Sequence, residues 1–170
     1  MPRAGSEAES AHLTVSPRAD VAPVAPDRRR AGRAVAWLSK QAEVALAGVD
    51  LTLAQYRVLG VLAEGSAMSS AISDRLAVRP PSVTALVDGL VARGLVDRHA
   101  DTGDRRRVAV TVTPAGLDVL AAADAAVDAR LVGIAGWLGD DDGGLGALDD
   151  LGRWSGALRA RHAAEHGSAR

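Results

Sequence analysis

Apolar residues recur along this chain first at a helical spacing, then briefly at the spacing of a strand, then at a helical spacing again. Val35, Leu38, Ala42, Ala45 and Val49 are separated by 3, 4, 3 and 4 positions. They form one stripe of a helix that starts after Asp27, a good N-cap residue. Thr52-Leu53-Ala54-Gln55 has the form of a capping box, with Leu51 and Tyr56 placed as a hydrophobic staple. It predicts a second helix running to Glu64 and stopped by Gly65. Ser69 or Ser70 is placed to cap a short third helix carrying Ile72 and Leu76. Pro80 and Pro81 fit only in the first turn of a fourth helix. That helix carries Val83, Leu86, Leu90 and Val91 and ends at Gly94 in a left-handed cap.

The period then drops from 3.6 to 2. Leu95 to His99 reads as one strand, and Val108, Val110 and Val112 alternate with Ala109, Thr111 and Thr113 in a half-buried second strand. Between them Asp101, Gly103 and Asp104 are turn formers, which makes a hairpin with a long basic tip. Thr113 as cap and Pro114 at the first position restart a helix. Leu120, Val127, Leu131, Ile134 and Leu138 give that helix its seam, Gly139 to Gly144 form a loop, and a last helix carries Leu145, Leu148, Leu151 and Leu158 before fraying after Glu165. The expected fold class is mainly α with a small two-stranded β-wing: a winged helix-turn-helix plus a helical dimerisation region. The domains are a disordered tail over 1–26, a dimerisation helix over 27–50, the winged helix-turn-helix over 51–113 and C-terminal dimerisation helices over 114–165.

Composition narrows this picture. The 170 residues are 48% hydrophobic but include no Phe, one Tyr and three Trp, so the core is built from Ala, Val and Leu. The absence of Cys removes thiol redox sensing, disulfides, Cys-ligated zinc and Cys catalysis. No apolar run is long enough to span a membrane. Arg28 to Arg30 do not make an export signal, because Arg33, Lys40 and Glu43 interrupt any apolar core behind them. A cytoplasmic location is expected. The net charge of −1 says little, but its distribution says more. The last third of the chain is acidic, whereas Arg105, Arg106 and Arg107 are consecutive at the hairpin tip.

In a helix-turn-helix the second helix enters the major groove by its N-terminal end. Here that end presents Arg79, Pro81, Ser82 and Thr84. Arg79 suits guanine or phosphate, the two hydroxyls suit base edges or phosphate, and Pro81 suits a thymine methyl. The competing reading is that Ser82 and Thr84 merely solvate a surface helix. Three adjacent arginines repel one another and gain a neutral fold little. On a hairpin tip they reach a minor groove, where a narrow shape concentrates negative potential. Asp104 and Asp101 are placed to structure the wing by pairing with a guanidinium. A solvated charged loop is the bland alternative.

Three stretches resemble the MarR family of regulators: Leu51 to Leu59, with the second helix start; Ser82 to Arg98, with Arg93-Gly94-Leu95-Val96; and Asp101 to Gly116, with the acidic-arginine wing turn. The resemblance covers about residues 30–160. It implies a homodimer paired through the first and last two helices. It also implies a repressor on a pseudo-palindromic double-stranded DNA operator, released by a small aromatic or phenolic effector held between the lobes. By motif position Asp104 and Arg106 match the family's wing-building pair, with Arg106 in the minor groove. The chain departs from the pattern at Ala85 and Gly89, where many members carry a basic residue in the recognition helix. The family layout puts Trp37 and Tyr56 near a ligand pocket, although plain core or dimer contacts account for them equally. Trp137 and Trp154 read as dimer packing.

No cofactor, metal or catalytic constellation emerges. His162 and His166 have metal-sharing spacing but only Glu165 nearby. Gly139 to Gly144 has calcium-loop flavour, but the twelfth position counted from Asp140 is Leu151, where a closing Glu is required. The sequence therefore predicts a ligand-responsive DNA-binding regulator and not an enzyme. The alternative is a winged-helix dimeric interaction protein without a DNA-binding role, favoured slightly by the under-charged recognition helix.

Overall fold

The computed structural model describes residues 26–100, 108–139 and 144–167. The elements run α1 (Pro26–Ala47), α2 (Leu53–Ala63), β1 (Ala67–Met68), α3 (Ser69–Leu76), α4 (Pro80–Ala92), β2 (Val96–Ala100), β3 (Val108–Val112), α5 (Pro114–Ala135) and α6 (Leu145–Gly167). The tail before Pro26, the wing residues Asp101, Asp104, Arg105, Arg106 and Arg107, and the acidic loop Asp140 to Gly143 lie outside the described residues.

The local signals operate as chemistry dictates. Thr52 accepts from the Gln55 N–H, and the Gln55 side chain accepts from the Thr52 N–H at 3.0 Å, completing the capping box. Leu51 is buried and Tyr56 packs against the same core, so both halves of the expected staple lie where it requires them. Gly94 takes φ +69° and lets the Leu95 N–H return to the Leu90 carbonyl at 3.0 Å, closing α4. Thr113 caps α5 by accepting from the Gly116 N–H at 3.0 Å, while its own hydroxyl donates to the Gly94 carbonyl at 2.8 Å.

The core sits between α2, α4, the sheet and the first half of α5. Leu46, Val58, Leu59, Ile72, Val83, Val87, Leu90, Val96 and Val110 are fully buried. The packing is close where α5 meets the α4–β2 connection at Gly116. A Cβ there would lie 2.0 Å from the Leu95 carbonyl oxygen. That contact presses the start of α5 onto the α4–β2 connection and thereby fixes the hairpin to the helical frame.

Several expectations are corrected. The sheet has three strands in the order β1-β3-β2, all antiparallel, with Ala67 opposite Val110 and Met68 opposite Ala109. A two-residue strand has no period to detect. Helix α3 is capped by the backbone of Met68, with Ser69 already in the first turn and no side-chain cap bond. The valine face of β3 is not uniformly buried: Val110 is inside, but Val108, at the end of the hairpin where Ala100 pairs with it, is exposed, and Ala109 is buried on the opposite face, paired with Met68 of β1. The α5 seam ends with the helix at Ala135, leaving Leu138 exposed, and α6 continues past Glu165 to Gly167. No described helix is long and apolar enough to cross a membrane.

Candidate nucleic-acid interface

Helices α3 and α4 are joined by a turn in which Ala77 adopts a left-handed conformation, φ 53° and ψ 42°. A non-glycine residue there costs about 1–2 kcal/mol. The turn is held by the Val78 N–H to the Ser73 carbonyl at 3.1 Å and by the buried Ser73 hydroxyl, which donates to the Val78 carbonyl at 2.6 Å. This short turn sets the angle at which α4 leaves α3.

One face of α4, with Val83, Val87 and Leu90, is buried against the core. The opposite face is open, and Arg79, Pro81, Ser82, Thr84, Ala85 and Asp88 are all exposed. Arg79 is the N-cap residue but makes no side-chain cap bond, so the guanidinium is not tied to the helix end. Thr84 donates its hydroxyl proton to the Pro80 carbonyl at 3.2 Å, which leaves its oxygen as an acceptor. The structure therefore brings the four predicted residues of this helix together on a single surface. The wing residues from Asp101 to Arg107 are outside the described residues, but β2 and β3, which carry them, are paired from Val96↔Val112 to Ala100↔Val108.

Two ion pairs at this surface were not visible as motifs. Arg98 on β2 pairs with Asp88 on α4, Nη1 to Oδ1 at 2.6 Å. Arg93 at the end of α4 donates to the Asp50 carbonyl at 2.7 Å and lies 3.4 Å from the Asp50 carboxylate, tying α4 to the α1–α2 turn. The only sequence signal for the first pair is opposite charge across the helix-to-strand connection. It becomes a contact only through the way β2 folds back over α4.

Away from this surface, Trp37 and Tyr56 do not share a pocket. Trp37 is 68% exposed and lines an apolar groove of about 420 Å³ with Leu38, Leu131, Ile134, Leu148 and Leu151, between α1, α5 and α6. Tyr56 lines a separate, more polar cleft of about 440 Å³ with Arg57, Asp124 and Arg159. The two aromatics sit on different helices and meet different turns of α5: Leu120 and Asp124 line the Tyr56 cleft, and Leu131, Ile134 and Ala135 line the Trp37 groove. The Tyr56 hydroxyl donates to Asp124 Oδ1 at 2.5 Å, linking α2 to α5. Burial, then this bond, then the neighbouring negative charge hold the phenol's pKa well above its ordinary value. Among the described residues no group of His, Asp or Glu is arranged to hold a metal ion.

A short helix pair, an open second helix and an antiparallel hairpin folded beside it define a winged helix-turn-helix protein. Residues 49–107 match the model of the MarR family. An uncharacterised HTH-type transcriptional regulator of Mycobacterium bovis is 36% identical over 91 residues, which span 53% of this chain and 64% of the relative. Wild-type MarR from Escherichia coli shares the fold at a TM-score of 0.68 with 21% identity, over 79% of this chain and 98% of that one. The transcriptional repressor CouR, bound to a 23-mer DNA duplex, superposes at a TM-score of 0.61 with 28% identity, over 74% and 89% of the two chains. CouR from Rhodococcus jostii bound to p-coumaroyl-CoA gives a TM-score of 0.60 with 25% identity, over 74% and 88%.

Proposed function

We propose that this chain is a cytoplasmic transcriptional regulator that binds a pseudo-palindromic duplex operator as a homodimer, represses from it, and is released by a small molecule. The observation that carries the reading is the open face of α4: Arg79, Pro81, Ser82 and Thr84 are all exposed at its N-terminal end, on a helix whose other face, with Val83, Val87 and Leu90, is buried. Helix α4 enters the major groove with these residues at base edges and phosphates. The arginines of the wing, Arg105 to Arg107, reach the adjacent minor groove, with Asp101 and Asp104 shaping the turn. Ala85 and Gly89 add no charge, so the wing supplies much of the affinity.

Dimerisation follows from the apolar groove between α1, α5 and α6, where Trp37, Leu151 and neighbouring Trp154 and Leu158 remain exposed. A second copy covering this face places two α4 helices about 34 Å apart, one turn of DNA. The small molecule acts only if it favours a conformer with a different half-site spacing. The Tyr56 cleft, at the junction of α2 with α5 and α6, is the place for it. The p-coumaroyl-CoA and duplex complexes of CouR support both halves of the reading.

The test is selection of duplexes from a randomised pool, followed by binding titrations at several salt concentrations. The expected result is a selected two-fold-related site, with Arg106→Ala weakening binding and flattening the salt dependence. If no duplex is enriched, the interaction-protein alternative, which the neutral Ala85 and Gly89 positions favour, takes its place.

A further inference from the structure

A helix in a major groove and a wing in the neighbouring minor groove straddle one sugar–phosphate strand, the ridge between the two grooves. A side chain that bridges α4 and the hairpin stands between the elements on either side of that ridge. Among the described residues Arg98 is such a side chain. Along β2, Val96 is buried and Arg98 shares its face, so Arg98 lies back over α4 while Asp97 and His99 point the other way. It is nevertheless about one-third exposed, and its Nη1 meets the Asp88 carboxylate at 2.6 Å. A guanidinium carries five N–H donors, so an end-on bond from Nη1 leaves others to present outward. Asp88, on the exposed face of α4, would repel a phosphate if it stood alone. Paired, it becomes a fixed anchor for a cation that strand β2 otherwise leaves rotatable.

We infer that Arg98 is a phosphate-binding residue at the ridge between the two grooves and that Asp88 is a positioning residue acting through it. The inference rests on the DNA-binding reading above and deepens it. It assigns a backbone contact to a recognition surface whose helix has only Arg79 as a cation near its open end. Because the contact is to phosphate, it contributes to affinity without discriminating among base sequences.

The experiment measures binding of the full chain to the duplex selected by the wild type, at 50 to 300 mM salt, roughly the range over which phosphate contacts are read. Arg98→Ala is expected to weaken binding about 10-fold and to reduce the slope of log K against log salt by about 0.9, the release of one phosphate's counterions. Its melting temperature should stay within about 3 °C of wild type, because a half-exposed pair adds little to stability. Arg98→Lys keeps the slope but loses part of the affinity, because an ammonium lacks the fork. Asp88→Asn weakens binding roughly 3-fold in the wild type and not at all in the Arg98→Ala background, the signature of a residue acting through its partner. An unchanged slope in both Arg98 variants overturns the phosphate assignment. Weakening by Asp88→Asn in both backgrounds, or tighter binding in either, overturns the positioning role. Wild-type protein that enriches no duplex overturns the DNA-binding reading itself, a result distinct from either.

Discussion

Replacing Gly116 by Ala tests how the hairpin is fixed to the helical frame. Gly116 is buried in the first turn of α5. An added Cβ would lie 2.0 Å from the Leu95 oxygen, 2.7 Å from Val112 Cγ2 and 3.0 Å from the Leu95 carbonyl carbon. An ordinary carbon–oxygen approach is about 3.3–3.6 Å, so α5 and the α4–β2 connection must separate by more than ~1 Å. The obstacle is backbone, which cannot rotate away. The same shift breaks the Thr113 bonds to the Gly94 carbonyl at 2.8 Å and the Leu95 carbonyl at 3.0 Å. Overpacking of this kind costs about 1–3 kcal/mol, and a rigid obstacle puts the value near the top of that range. For a chain of this size about 3 kcal/mol corresponds to a fall of roughly 6–12 °C in Tm. Gly89→Ala is the control. Its Cβ would meet only Gln55 Nε2 at 3.6 Å, an ordinary contact, inside α4. There alanine should gain up to about 1 kcal/mol of helix propensity. Thermal melts followed by circular dichroism at 222 nm, at one fixed protomer concentration, give both values. A Gly116→Ala melting point within ~2 °C of wild type, or no lower than that of Gly89→Ala, refutes the reasoning.

Four further outcomes are expected. Trp37→Asp puts a charge into the apolar groove and should shift the chain from dimer to monomer in light scattering at micromolar concentration; an unchanged mass would place the dimer contact elsewhere. Tyr56 is the chain's one tyrosine, so phenolate absorbance reads it directly. Because its folded pKa is raised above the ordinary 10.0, the stability it contributes is complete below that value and falls as pH rises beyond it. The native protein should show no phenolate at pH about 10, where an unfolded tyrosine is half ionised, and Tyr56→Phe should flatten the loss of stability on the alkaline side. Thr52→Ala removes the capping box at the start of α2 and should cost about 1 kcal/mol, read as a fall of roughly 2–4 °C in Tm. Ala77→Gly relieves the left-handed turn between α3 and α4 and should raise stability by about 0.5–1 kcal/mol in denaturant titration, with no change in m-value.

The division between sequence and tertiary structure follows the range of the interactions involved. Sequence alone determined the helix starts at Thr52 and Thr113, the left-handed stop at Gly94, the buried stripe of α4 and the strand period around Val110, because caps and periodicity are set by residues within a few positions of one another. It also brought Arg79, Pro81, Ser82 and Thr84 onto one helix end, since consecutive residues of a first turn share a surface. Tertiary structure decided the rest. Strand β1 exists only because Ala67 and Met68 meet β3, more than forty positions away in the chain. The Tyr56–Asp124 bond spans 68 positions, and the separation of Tyr56 from Trp37 into different clefts depends on how α5 packs between α1 and α2. Arg98 and Asp88 could be seen in the sequence only as opposite charges. It took the fold of β2 over α4 to bring the two charges within 2.6 Å, because packing, and no local preference, chooses which distant side chains meet.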